Sequence, residues 1–250
     1  MVNFIKKMKK IILLLLLISS KTIFAQGDRE ITYGLFVGAI HSTMSNLPDV
    51  IVPKGVFKGY TLDTKGKFGT TAGFKINWKY PYAKVSVQTE VLYSNQGTDL
   101  NYKDNKGLIY KTNFGYSYLN FGAQFKFYPF EGFYIGLGPY VGFSLNSDNI
   151  HYSSNSAVVF GNSEANFEPD ATVEKVLKES LTAKNFFYGT FATGYEFSNN
   201  LSIGARYNLG LTDGLTTEEN GHRYKENANK INSISLVIGY SFNFDDLGNF

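Results

Sequence analysis

The chain has 250 residues, with 25 glycines, 22 phenylalanines, 18 tyrosines and no cysteine. That composition excludes a disulfide framework, a thiolate metal site, a cysteine nucleophile and lipidation of an N-terminal cysteine. The formal charge of +3 sits at one end: Lys6, Lys7, Lys9, Lys10 and Lys21 fall in the first 25 residues, and without them 19 basic residues face 21 acidic ones. The remainder is slightly acidic, so no basic nucleic-acid-binding surface is expected.

Residues 1–25 have the anatomy of a signal peptide. A lysine-rich start precedes the apolar run Ile11–Ile18, and the stretch ends Ile23-Phe24-Ala25 before Gln26. Cleavage is predicted after Ala25, leaving 26–250 as one domain. No later stretch reaches the ~20 consecutive apolar residues of a spanning helix. Any membrane embedding of that domain must use strands.

Eight strands are predicted, in this order. Thr32–Thr43 is blurred, with Leu35 and Val37 set against Phe36 and Ile40. Met44–Gly66 carries two prolines and reads as a long loop. Lys67–Lys79 alternates cleanly: Phe68, Ala72, Phe74, Ile76 and Trp78 oppose Lys75, Asn77 and Lys79. Tyr80-Pro81-Tyr82 connects it tightly to Lys84–Gly97, where Val85, Val87, Val91 and Tyr93 oppose Gln88 and Glu90. Thr98–Lys111 is polar and reads as a loop. Tyr116–Tyr128 sets Leu119, Phe121, Phe125 and Phe127 against Tyr118, Asn120, Gln124 and Lys126. After a short turn, Phe133–Asn146 sets Ile135, Leu137 and Val141 against Tyr134, Gly136 and Tyr140. Pro139 on its apolar face predicts a bulge, because proline supplies no ladder donor.

Ser147–Lys184 is the longest connection, with a helix expected over Ala171–Ala183 from the spacing of Val173, Val176, Leu177 and Leu181. Asn185–Phe197 and Leu201–Thr212 are strands joined by Ser198-Asn199-Asn200. Asp213–Lys230 is a polar loop. The closing strand, Asn232–Phe244, puts Ile234, Leu236, Ile238, Tyr240, Phe242 and Phe244 on one face and Ser233, Ser235, Gly239 and Ser241 on the other. The connections alternate long and short along the whole chain. Outer-membrane barrels have short periplasmic turns and longer external loops, and strands of about 9–11 residues with aromatic ends cross the bilayer. The expected fold is all-β: an eight-stranded antiparallel up-and-down transmembrane β-barrel, exported to the outer membrane, with lipid outside and polar side chains inside.

Four groups of residues resemble the outer-membrane β-barrel family of Bacteroidota often called PorT-like. They are Thr89–Ser94 through Gly97, Tyr118-Leu119-Asn120 with Gln124-Phe125-Lys126, Gly136–Tyr140, and Arg206-Tyr207-Asn208 with Gly210-Leu211. The resemblance implies an outer-membrane barrel, and an accessory role in secretion or gliding machinery is one of the functions it brings with it. Asp245–Phe250 extends past the usual final aromatic, so Phe244 or Phe250 is the expected signal for the barrel-insertion machinery.

Among chemistry-bearing residues, Glu90 and Arg206 lie at similar heights on strands that oppose each other in a ring of eight. They are expected to meet in the lumen, with Lys75, Lys126 and Glu196 nearby, because eight strands leave an interior that side chains fill and buried charges must pair. His41 and Ser42 are adjacent on a strand and so point to opposite faces, which removes them as a catalytic pair. His151 and His222 lie in loops. Tyr33, Trp78, Tyr93, Tyr195, Tyr207 and Phe244 are expected in aromatic belts. No catalytic residue, cofactor or metal is expected; the expected partners are outer-membrane lipids, the insertion machinery and proteins at loops or periplasmic turns. The function that follows is a non-enzymatic barrel with a plugged lumen that displays its loops; a lipid-modifying enzyme and a soluble ligand-binding barrel with its apolar face inward are the remaining alternatives.

Overall fold

Alternating sequence becomes strand because a row of small or polar side chains and a row of apolar ones separate to opposite faces of a pleated backbone. The computed structural model describes residues 30–45, 60–79, 83–105, 107–146, 149–155, 168–169, 171–216, 218–219, 222–223 and 229–243. Its strands are β1 (Glu30–Met44), β2 (Tyr60–Lys79), β3 (Val85–Asp104), β4 (Ile109–Phe127), β5 (Phe133–Ser144), β6 (Phe186–Glu196), β7 (Leu201–Gly210) and β8 (Ile231–Phe242). Each pairs antiparallel with the next. The ring closes where β1 meets β8, from Tyr33 opposite Phe242 to Met44 opposite Ile231. β5 pairs β6 despite the long connection between them.

The faces are those the alternation demands. On β8, Leu236 and Ile238 are 63% and 60% exposed while Ser233 and Ser235 are buried. Leu35 and Val37 on β1 face out, and Phe36 and Ile40 face in, which resolves the blurred first strand. The outer surface is a continuous apolar band: Phe125, Phe127, Ile135, Leu137, Phe191 and Ile203 all present large side chains to the surroundings. A water-soluble fold does not leave that much contiguous apolar surface uncovered, whereas a lipid bilayer covers it.

Three strands are far longer than a bilayer requires. β2 and β3 have 20 residues each and β4 has 19. At about 3.3 Å per residue they run roughly 65 Å, about twice the hydrocarbon thickness. Residues 60–66 pair with 98–104, and 98–103 pair with 109–114. Within the stretches predicted as loops at Thr98–Lys111 and Met44–Gly66, residues 98–104, 109–111 and 60–66 are therefore strand; residues 46–59 and 106 lie outside the described set. The apolar signal fails there because the outward row leaves the lipid and turns polar, as in Thr61, Asp63, Lys65, Asn101 and Lys103. A register shift between Gly66 and Thr71 adds one residue to β2. It moves the inward row from Thr71, Lys75 and Asn77 below to Leu62 and Thr64 above.

The inward face of this extension carries its own core. Leu100, Phe114 and Ile150 are fully buried and join Met44, Leu181, Leu215 and Ile231, with Leu62 and Leu177 against them. Ile150 comes from a loop strand, Ile150–Ser154, that adds to β4. Leu177 belongs to helix α1 (Ala171–Ser180), three residues shorter than predicted. Glu174 ties α1 to the loop strand. Its carboxylate accepts from Lys178 Nζ at 2.7 Å and from the Tyr152 backbone N–H at 3.1 Å, and these bonds hold its pKa below the ordinary carboxylate value. Tyr102 stacks on Tyr110 at 4.3 Å, with Tyr152 beside them. The described parts of the long connections thus pack into a cap.

Pro139 makes no bulge. The β4–β5 ladder is interrupted between Gly122 opposite Tyr140 and Phe125 opposite Leu137, yet the register is the same on both sides. Glycine solves the problem instead. A Cβ at Gly138 would lie 1.7 Å from the Ala123 carbonyl oxygen, so the strands approach closely where the proline donor is missing. In the β4–β5 turn, Gly132 adopts φ 74°, the left-handed region that glycine enters without cost.

Candidate functional site

The lumen holds the residues with chemistry. Glu90 on β3 and Arg206 on β7 meet across it, four strands apart around the ring. Arg206 Nη1 and Nη2 donate to the two Glu90 oxygens at 2.7 and 2.8 Å, a bidentate pair. The Glu90 side chain is fully buried. Tyr140 donates to the same carboxylate at 2.7 Å, Gln88 donates to its other oxygen, and Gln124 donates to the Tyr140 hydroxyl. The Arg206 guanidinium lies over the Phe36 ring at 4.5 Å. A charged pair in a low-dielectric interior survives only with this degree of satisfaction.

The second pair lies toward the short turns. Lys126 Nζ donates to Glu196 at 2.8 Å and sits 3.9 Å from the centre of the Tyr134 ring; Tyr128 donates to the other Glu196 oxygen at 3.1 Å. Lys75 is also buried, but among the described residues its ammonium donates only to the Ser202 hydroxyl, at 3.3 Å. The five residues expected to share one network therefore divide into Glu90–Arg206, Lys126–Glu196, and Lys75 by itself at a hydroxyl.

On the loop side of Glu90 an aromatic column lies in the lumen. Tyr140 stacks on Tyr188 at 5.2 Å, Tyr188 on Phe186 at 5.2 Å, and Phe186 meets Tyr118 edge-on at 4.9 Å. These rings were not expected as site residues. Their signal was present: Tyr118 and Tyr140 share the inward row with Gln124 and Gly136. The interior between column and ion pair leaves a gap of only about 10 Å³. The short-turn end is different. A vestibule of about 530 Å³ opens there, lined by Lys75, Asn77, Lys79, Gln88, Glu196 and the turn residues around Glu131 and Asn200.

His41 and Ser42 behave as their positions demand. Ser42 faces in and bonds to the Gly97 backbone, while His41 is exposed against Phe68, with ring centres 4.7 Å apart. His151 lies 3.8 Å from Glu174 on the cap. Tyr93, Tyr195 and Tyr207 face outward as belt residues should; Phe244 and Phe250 lie outside the described residues. Among the described residues no group of three His, Asp or Glu side chains is placed to hold a metal ion.

A closed ring of eight antiparallel strands, greasy outside and charged within, is a transmembrane β-barrel. The outer membrane protein beta-barrel domain matches residues 24–215, more than half the chain, and this protein belongs to that family. It is similar in structure to the surface protein NspA of Neisseria, at 12% identity and a TM-score of 0.37, over 84% of this chain and 95% of that one. The attachment invasion locus protein Ail of Yersinia pestis matches at 16% identity and 0.37, over 85% and 99%. OprG of Pseudomonas aeruginosa matches at 11% and 0.36, over 86% and 98%. No curated protein matches the chain.

Proposed function

We propose that the protein is a non-enzymatic outer-membrane barrel whose lumen is sealed by its own side chains and whose folded external cap makes surface contacts or supports the envelope. The observation that carries this is the bidentate Glu90–Arg206 pair spanning the lumen, with the Tyr140–Tyr188–Phe186–Tyr118 column beside it. Barrels of eight strands have an interior that side chains can fill completely. A barrel that is closed inside and extended outside presents its cap, not a pore, to the environment. The lysine-rich first 25 residues supply the export signal in this reading.

Planar-bilayer recording of the purified protein tests the seal. The reading requires no steady ohmic conductance from the wild type, and openings in a variant that combines Arg206→Ala with Tyr140→Ala and Tyr188→Ala. A stable wild-type channel contradicts it. The motifs that resemble the PorT-like family favour a second reading, an accessory part of secretion or gliding machinery. In-cell crosslinking separates the two: recovery of a defined envelope complex supports the second.

A further inference from the structure

Among the described residues, Lys75 is a buried lysine that the two lumen ion pairs leave without an acid partner. Lys75 is 6% exposed and lines the vestibule at the short-turn end, the periplasmic end in barrels of this class. An ammonium carries three donors. The Ser202 hydroxyl takes one, and among the described residues Lys75 forms no ion pair. Two residues along the same face, Asn77 is 7% exposed, and its carbonyl oxygen has no hydrogen-bond partner. Residues i and i+2 of a strand lie about 7 Å apart. The vestibule thus combines a buried cation that has no acid partner with two buried acceptors that have no donor, Asn77 Oδ1 and Gln88 Oε1. Glu196, the nearby acid, is already committed to Lys126 and Tyr128. At the mouth, Glu30 and Glu131 supply negative charge, beside Lys79, whose ammonium lies over the Tyr128 ring.

We propose that this vestibule is a binding site for the carboxyl-terminal end of a short peptide. The terminal carboxylate accepts from Lys75, and the adjacent peptide N–H donates to the Asn77 carbonyl. The acids at the mouth favour the peptide's ammonium end. A terminal carboxylate with a donor beside it matches a floor that offers a donor and an acceptor; a simple anion leaves Asn77 unmatched. Capture of terminal carboxylates is an established recognition mode, and about 530 Å³ falls within the usual range for small-ligand pockets. Gly34 permits the arrangement, since a Cβ there would lie 2.6 Å from Lys75 Cε.

The test is calorimetric titration of the full-length barrel in detergent micelles with trialanine, with trialanine amide and with inorganic phosphate. Trialanine is expected to bind, with the amide and phosphate each weaker by about tenfold or more. Lys75→Met should weaken trialanine by about tenfold and leave the amide unchanged. Asn77→Asp, which places a negative charge on the floor and leaves Lys75 present, should do the same and decides the matter if the lysine variant does not fold. Absence of trialanine binding, equal binding of acid and amide, phosphate binding as tight as the peptide, or unchanged affinity in both variants would each overturn the proposal.

Discussion

Removing Arg206 is the most informative single perturbation of the lumen. Glu90 has four side-chain hydrogen bonds, two of them from the guanidinium and one each from Tyr140 and Gln88. Arg206→Ala deletes both charge-assisted bonds and, among the described residues, the only cation paired with a carboxylate that is fully buried. Breaking a buried pair from one side costs about 3–5 kcal/mol, because the remaining charge is left without compensation. Tyr140→Phe removes one bond to the same carboxylate and should cost about 1.5–3 kcal/mol. Replacing both partners, as in Glu90→Gln with Arg206→Met, should recover most of the loss, since an apolar or neutral substitute carries no stranded charge. Urea unfolding in micelles, followed by the electrophoretic shift between folded and boiled protein, measures all three. If Arg206→Ala unfolds at the wild-type urea concentration, or if the double variant is no more stable than the single, the charge argument is wrong.

Other expectations follow from particular contacts. Gly122→Ala would place a Cβ 2.1–2.5 Å from three carbons of the Tyr140 ring, and should destabilise the barrel by about 1–3 kcal/mol in the same unfolding assay. Phe114→Ala empties a fully buried site in the cap and should cost about 3–5 kcal/mol there; limited proteolysis should cut the extension while the heat shift of the barrel persists. The Glu174 carboxyl titrates below its unfolded value. Its contribution to docking α1 is therefore in place above the ordinary carboxylate range and is lost as pH falls through the lower, folded value. Amide exchange at Tyr152 should accelerate over that acidic window, and Glu174→Gln should abolish the dependence.

The barrel was legible because lipid and lumen impose opposite demands on alternate residues. Leu236 against Ser235, and Phe125 against Gln124, are readable wherever both faces are constrained. The pairing of Glu90 with Arg206 was legible for the same reason: heights along strands and opposition around a ring of eight fix which inward charges can meet. The extension was not legible. Above the bilayer the outward row of β2 and β3 meets water, so Thr61, Asp63, Asn101 and Lys103 carry the composition of a loop while the backbone continues its ladder. The register shift near Gly66 further breaks the alternation on β2. Lys75 was expected among the lumen charges, but that it stands apart from Glu196 depends on which acid Lys126 reaches first, a matter of side-chain geometry that spacing does not contain. Tyr188 and Phe186 were passed over because inward aromatics look like belt residues when only their strand is known.

The orientation of the two faces is the claim on which the rest stands, and the chain's lack of cysteine makes it directly measurable. Single cysteines at Ser235, Leu236 and Ile238, each spin-labelled in bilayers, should report collisions with a lipid-soluble relaxant at 236 and 238 and none at 235. Labels at 236 and 238 shielded from lipid, with 235 exposed to it, would contradict the account.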